Sequence, residues 1–190
     1  MTENIHSKPA LRRNLLAARH AVPAELRKQW DNAIAHRLAD LRKYFPATLG
    51  IYWPMRGEPD LRDWYAEQTS CGIRLSLPVV ADANASLRFA AWKPEDALVK
   101  DAMGTSIPAH IESFLQPETL LIPCVGFNAA NVRLGYGGGF YDRTLASAPR
   151  PFAIGIAYEC GRAEFVSESH DIPLDLIVTE STVYEITRRD

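Results

Sequence analysis

Leu120-Leu121-Ile122-Pro123-Cys124-Val125, followed shortly by Arg133-Leu134-Gly135-Tyr136-Gly137-Gly138-Gly139-Phe140-Tyr141-Asp142, decides how this chain is read. The first stretch is an unbroken apolar run of strand length and predicts a buried strand. The second runs into Tyr141-Asp142-Arg143-Thr144-Leu145-Ala146, which can open a helix. The glycines at 135, 137, 138 and 139 let the backbone adopt φ > 0 and expose its N–H groups. Such N–H groups, at the entrance to a helix, make a site for phosphate. The loop is not a Walker A motif, since no Gly-Lys-Ser/Thr follows. Nor is it G-x-G-x-x-G, since Phe140 stands where the last glycine belongs. Its ends are charged: Arg133 can meet a phosphate in a bidentate way, and Asp142 can hold a divalent cation through its oxygens. On the residues alone, a phosphate-binding loop and a plain glycine turn both stay open.

Working outward, the chain alternates strands and helices. Upstream, Thr48 to Trp53 reads as a strand ending in Pro54-Met55-Arg56-Gly57-Glu58-Pro59-Asp60, with a helix from Pro59 to about Ser70. Glu58 there is either a helix-start charge or a ligand contact, because open α/β sheets bind ligands beyond the carboxyl ends of strands. Residues 73–80 and 86–92 read as strands joined by a turn at Asp82-Ala83-Asn84, and a short helix is expected near Glu95–Lys100. Downstream, strands are expected at 152–158, 176–179 and 183–187. At the N-terminal end, Ser7-Lys8-Pro9 starts a helix to about His20 with Leu11, Leu15 and Ala18 inward. Lys8 and Arg12 share a face of it, as a solvated basic surface or a cation pair for phosphates, and Arg19 lies one heptad beyond Arg12. A second amphipathic helix carries Leu26, Trp30, Ala33, Ile34, Leu38, Leu41 and Phe45. The expectation is a three-layer α/β/α fold: a mostly parallel, Rossmann-like sheet covered by helices on both faces, with a small edge extension.

The 190 residues suffice for one domain with a sizeable core, and 1–190 reads as that domain. A net charge of −2 offers no general surface for nucleic acid or membrane, so neither is expected as a partner. Cys71, Cys124 and Cys160 are dispersed, without C-x-x-C, which suits a reducing cytoplasm rather than zinc or a disulfide framework. The polar start, Met1 to Arg13, has no apolar h-region, and no run is long enough to span a bilayer. His170-Asp171 lacks histidine partners at ligand spacing, and no G-x-S-x-G elbow occurs.

The segment Asn131 to Asp142 resembles the glycine-rich motif of the 5-formyltetrahydrofolate cyclo-ligases, also called methenyltetrahydrofolate synthetases. Pro123 to Asn128 is similar to the strand before it in that family. Lys8-Pro9-Ala10-Leu11-Arg12 resembles its N-terminal Lys-x-x-x-Arg, Tyr52 to Glu58 its folate loop, and His170 to Asp175 its C-terminal acidic segment. The resemblance covers nearly the whole chain. It implies an α/β/α fold and an ATP- and Mg²⁺-dependent enzyme closing 5-formyltetrahydrofolate, polyglutamylated or not, to 5,10-methenyltetrahydrofolate. By position, Lys8, Arg12 and the loop residues Arg133, Leu134, Gly135, Tyr136, Gly137, Gly138, Gly139, Phe140 and Tyr141 would hold ATP. Trp53, Glu58, Tyr136 and Tyr141 would meet the folate, and Asp142 and Asp171 the Mg²⁺. The chain departs from the pattern at Asn128, at Asn131 and at Ser106-Ile107-Pro108-Ala109-His110. Other readings are a paralogue acting on another formylated or pterin-like compound, and a non-catalytic nucleotide-binding protein on the same scaffold. A sugar-phosphate isomerase or CoA-transferase-like enzyme rests on fold analogy alone.

Overall fold

The computed structural model describes residues 7–45 and 47–186, and an eight-stranded mixed sheet forms its centre. Two helices come first, α1 (Lys8–Ala21) and α2 (Ala24–Asp40), then β1 (Thr48–Gly50) and α3 (Arg62–Ser70). The strands β2 (Arg74–Val79), β3 (Arg88–Trp92), β4 (Leu98–Lys100), β5 (Ser106–Pro108) and β6 (Phe114–Leu115) follow. The glycine-loop region is built from β7 (Thr119–Pro123), β8 (Gly126–Phe127), β9 (Arg133–Leu134) and α4 (Phe140–Leu145). The chain then adds β10 (Phe152–Ile156), β11 (Leu176–Val178) and β12 (Val183–Glu185). In the sheet the order is β12-β11-β10-β7-β1-β2-β3-β6. The five central strands, β11 to β2, run parallel, while β12, β3 and β6 are antiparallel additions at the edges.

Period-two alternation sends the side chains of each central strand into two cores. On β7, Leu121 enters one core with Ile34 and Leu38 of α2 and Trp64 and Tyr65 of α3. Its neighbours Leu120 and Ile122 enter the other, with Leu145 of α4 and Leu174. The sheet is thus covered on both faces, and the β4–β5 hairpin forms the edge extension.

Several boundaries differ from the sequence-based expectation. The helix expected near 95–100 is a turn followed by strand β4. Asp96 accepts a hydrogen bond from the Lys93 amide (3.0 Å) and donates its own N–H to Lys93 O (2.9 Å), which closes the chain before a helix can propagate. The second helix stops at Asp40 and continues as a 3₁₀ turn over Arg42–Tyr44. The third begins at Arg62 rather than Pro59. Thr187, at the end of the last expected strand, lies outside the described residues, and β12 ends at Glu185.

Helix α1 crosses the carboxyl ends of the parallel strands. Leu15 packs beside Gly126, where an added Cβ would lie 2.5 Å from Leu15 Cδ1 and 2.7 Å from Gly161 O. That close approach seats α1 over the end of β7, the region where ligands bind in open α/β sheets.

Candidate active site

The face of α1 turned to the strand ends carries Lys8, Arg12, Leu15 and Arg19, at helical steps of four, three and four. Ser7 caps the helix by accepting the Ala10 amide (3.4 Å), with Pro9 in the first turn as expected. Lys8 Nζ reaches Asp171 Oδ2 at 2.8 Å and Glu168 Oε1 at 2.9 Å. Arg12 Nε donates to Gly135 O at 2.7 Å, tying α1 to the glycine loop. Arg19 is only 2% exposed, and its guanidinium donates to Cys124 O at the end of β7. The inward position expected for Ala18 therefore belongs to Arg19; Ala18 is exposed.

The loop itself enters through the β8–β9 hairpin. Asn128 turns that hairpin with its side-chain oxygen, which accepts the amides of Ala130 (3.1 Å) and Val132 (3.0 Å). Its amide nitrogen donates to Phe165 O at 3.2 Å, so an asparagine satisfies every contact of the position. Asn131 adopts φ 54°, the left-handed conformation that asparagine tolerates. Gly139 takes φ 65° at the start of α4. Because α4 has only six residues, the charge available to a phosphate comes mainly from side chains.

Those side chains converge. Arg133 is 8% exposed and pairs through Nη2 with Asp142 Oδ2 at 2.7 Å. Its Nη1 is buried without a hydrogen-bond partner. Asp142 Oδ1 also accepts the Ile172 amide at 3.2 Å, which brings the 168–172 segment against the loop. Lys8, Arg12, Arg133, Asp142 and Asp171 line one cavity of about 270 Å³. The loop contributes Leu134, Gly135, Tyr136, Gly137, Gly139 and Tyr141 to its walls, and Pro123, Glu168 and His170 complete it. Gly138 and Phe140 stand outside this lining; Phe140 packs into the core under Arg143. Burial pushes the Asp171 carboxyl up, but the Glu168 amide and the Lys8 ammonium outweigh it and hold it below the usual range.

Glu58 stands at the edge of the cavity. It is 5% exposed and lies before α3, outside its first turn. Its Oε1 accepts from the Tyr136 phenol at 2.7 Å and its Oε2 from the Met55 amide at 3.0 Å. Burial raises its pKa, against the pull of Tyr136, Met55, Arg19 and Arg56. On its far side lies a groove of about 710 Å³ lined by Met55, Arg56, Glu58, Asp31 and Tyr158. Trp53 lines neither space: it packs edge-on against Trp92 at 5.6 Å and beneath Arg62 at 5.4 Å. Residues 106–110 lie in and just after β5, in the β4–β5 hairpin packed against β2 and β3, and line neither space.

The profile of the 5-formyltetrahydrofolate cyclo-ligase family matches residues 4–180. The chain belongs to that family. The 5-formyltetrahydrofolate cyclo-ligase of Mycoplasma pneumoniae is 32% identical over 178 residues, covering 91% of this chain and 98% of the relative. Two solved structures share the fold: the 5,10-methenyltetrahydrofolate synthetase of Mycoplasma pneumoniae, with TM-score 0.76 at 27% identity, and that of Aquifex aeolicus, with TM-score 0.82 at 25% identity. They cover 92% and 96% of this chain, and the alignments cover 99% and 94% of theirs. In cyclo-ligase terms, the glycine loop, the α1 cations and both carboxylates assigned by resemblance meet at one place. Reading the sequence missed Glu168 as a second partner of Lys8, and Arg19 as a buried cation at the end of β7. The heptad from Arg12 to Arg19 was the signal for the second.

Proposed function

We propose that this chain closes 5-formyltetrahydrofolate to 5,10-methenyltetrahydrofolate at the expense of ATP, releasing ADP and phosphate. The observation that carries this reading is the convergence of two ion pairs, Lys8–Asp171 and Arg133–Asp142, with a glycine loop on one cavity. A cavity of 270 Å³ suits a phosphate tail rather than a whole nucleotide, since complete ligand sites run to about 300–1,000 Å³. Lys8, Arg12 and Arg133 would neutralise the phosphates there, with the buried Nη1 of Arg133 as a ready donor.

Asp142 and Asp171 present only oxygen donors to the same cavity, a set that fits Mg²⁺ shared between carboxylates and phosphates. Bound there, Mg²⁺ would offset the charge on the phosphoryl group in transfer. The formyl oxygen attacks the γ-phosphorus as the N5 lone pair moves toward the formyl carbon, and the bond to ADP breaks. N10 then adds to that carbon, the N10 proton is lost, and phosphate leaves with the C–O bonding pair. Glu58, aimed from between the two spaces, would accept the N–H groups of the pterin, and the groove beside it would receive the folate. Tyr136 and Tyr141 offer faces for flat rings. Trp53 supports the groove only through Arg62, which lies over its ring.

The test is absorbance at the methenyl band with purified protein, 5-formyltetrahydrofolate and Mg-ATP, omitting each component in turn. Turnover only in the complete mixture is expected. Turnover without ATP, or none in the complete mixture, overturns the proposal.

A further inference from the structure

Met55-Arg56-Gly57-Glu58 forms a turn with two successive left-handed residues, Arg56 at φ 50° and Gly57 at φ 71°. Positive φ at both central positions of a turn favours Asn-Gly or Gly-Gly, and an arginine in the first of them is strained. The turn is held all the same. The Glu58 amide donates to Met55 O at 3.0 Å, and the Met55 amide donates to Glu58 Oε2 at 3.0 Å. What the strained position places is the Arg56 side chain. Its guanidinium carbon lies 5.0 Å from the centroid of the Tyr136 ring. Tyr136 lines the cavity of the glycine loop, whereas Arg56 lines the groove on the far side of Glu58. Among the described residues, Arg56 makes no hydrogen bond or ion pair. Its neighbours in the groove are engaged elsewhere: Glu58 by Tyr136 and Met55, Asp60 by Arg62 at 2.8 Å, and Asp31 by the Tyr158 phenol at 2.6 Å. Asp63, the remaining carboxylate, lies in the first turn of α3 next to Arg62. An unpaired cation thus stands on the seam between the two spaces.

We infer that Arg56 is a catalytic residue on the folate side of that seam, meeting the phosphoryl group as it passes from the nucleotide to the formyl oxygen. This rests on the proposed reaction, with nucleotide phosphates in the cavity and folate in the groove. The formyl oxygen is neutral before transfer and carries three phosphoryl oxygens after it. Lys8, Arg12 and Arg133 line the nucleotide side. A cation on the acceptor side acts on charge that arrives only with the transfer, so it lowers the barrier without tightening folate binding. A guanidinium can meet two phosphoryl oxygens at once. In the step itself the formyl oxygen forms the new O–P bond, and the bond from phosphorus to the ADP oxygen breaks with its electron pair going to ADP. Arg56 stays protonated throughout.

The experiment compares wild type, R56N and R56K by steady-state kinetics at the methenyl band, calorimetric titration with 5-formyltetrahydrofolate, and thermal melting. Asparagine tolerates the left-handed backbone and carries no charge, whereas lysine keeps the charge. R56N should lower kcat about a hundredfold and leave the folate Kd and the KM for ATP within about twofold of wild type. It should also melt at or above wild type, because it relieves the strain while losing the function. R56K should keep more of kcat than R56N. Wild-type kcat in R56N would overturn the inference, and so would a defect confined to folate Kd, or equal kcat values in R56N and R56K. An R56N protein that melts lower than wild type and loses rate and binding together would make Arg56 structural, which also overturns it. Should wild type itself make no methenyl product from the complete mixture, it is the cyclo-ligase reading that fails, and the inference falls with it.

Discussion

Glu58 and Asp142 show how much a single position can be asked to do. Glu58→Gln keeps an acceptor for Tyr136 and Met55 but loses the charge, so the Kd for 5-formyltetrahydrofolate should rise about tenfold or more with ATP binding little changed. The pKa of Glu58 is raised by burial, so its ionisation costs stability as pH rises through that value. The glutamine variant should therefore melt no lower than wild type at neutral pH, which a thermal scan beside the titration checks. A helix-start role would give the opposite pattern, and α3 begins too late to support one. Asp142→Asn should lower turnover about a hundredfold or more at saturating Mg²⁺, measured as initial rates. Rates close to wild type would rule out a metal-holding role. The charged ends of the loop were legible in the sequence because glycine runs with an arginine before and an aspartate after are chemically specific. The function of Asn128 was not: that an amide oxygen could close the hairpin turn is visible only with the amides of Ala130 and Val132 in place.

Among the elements, α1 is both part of the site and a removable wall of it. It is held at the strand ends by the absence of a side chain at Gly126, next to Leu15 and the Gly161 carbonyl. Gly126→Ala should lift α1 and cost about 1–3 kcal/mol through overpacking. The apparent KM for ATP should rise several-fold, although neither Lys8 nor Arg12 has been altered; steady-state kinetics with a melting curve reads both effects. An unchanged KM in a destabilised variant would mean that α1 does not help hold the nucleotide. The pattern of α2 and of the central strands was plain from periodicity, because burial on one stripe or both faces leaves a composition trace. The β8–β9 hairpin left none: two residues a side are too few for periodicity. Arg19 also escaped, since a cation on an amphipathic helix reads as solvated until its partner, 105 residues away, is seen. The misread helix at 95–100 came from helix-tolerant residues overridden by one turn-closing aspartate.

For the molecule as a whole, the Lys8–Asp171 pair joins the first helix to the last third of the chain. Asp171 titrates below 3.8, so its contribution is present above that value and lost as pH falls through the lowered one; Lys8 titrates above 10.5, so its contribution is present below that value and lost as pH rises. Asp171→Asn should cost about 1 kcal/mol at neutral pH and flatten the acid limb of stability, as denaturant melts at pH 7 and near pH 3 would show. The parallel sheet with covered faces was foreseeable from alternating elements, whereas the antiparallel strands at its edges depended on turns too irregular to read. Helix α1 is made first on the ribosome, yet its partners Cys124, Gly135 and Asp171 lie 105, 123 and 163 residues later. On the proposed reading, a chain stalled before Asp171 is made is expected to be silent toward ATP rather than partly active, because the cavity closes only when both ends of the chain meet.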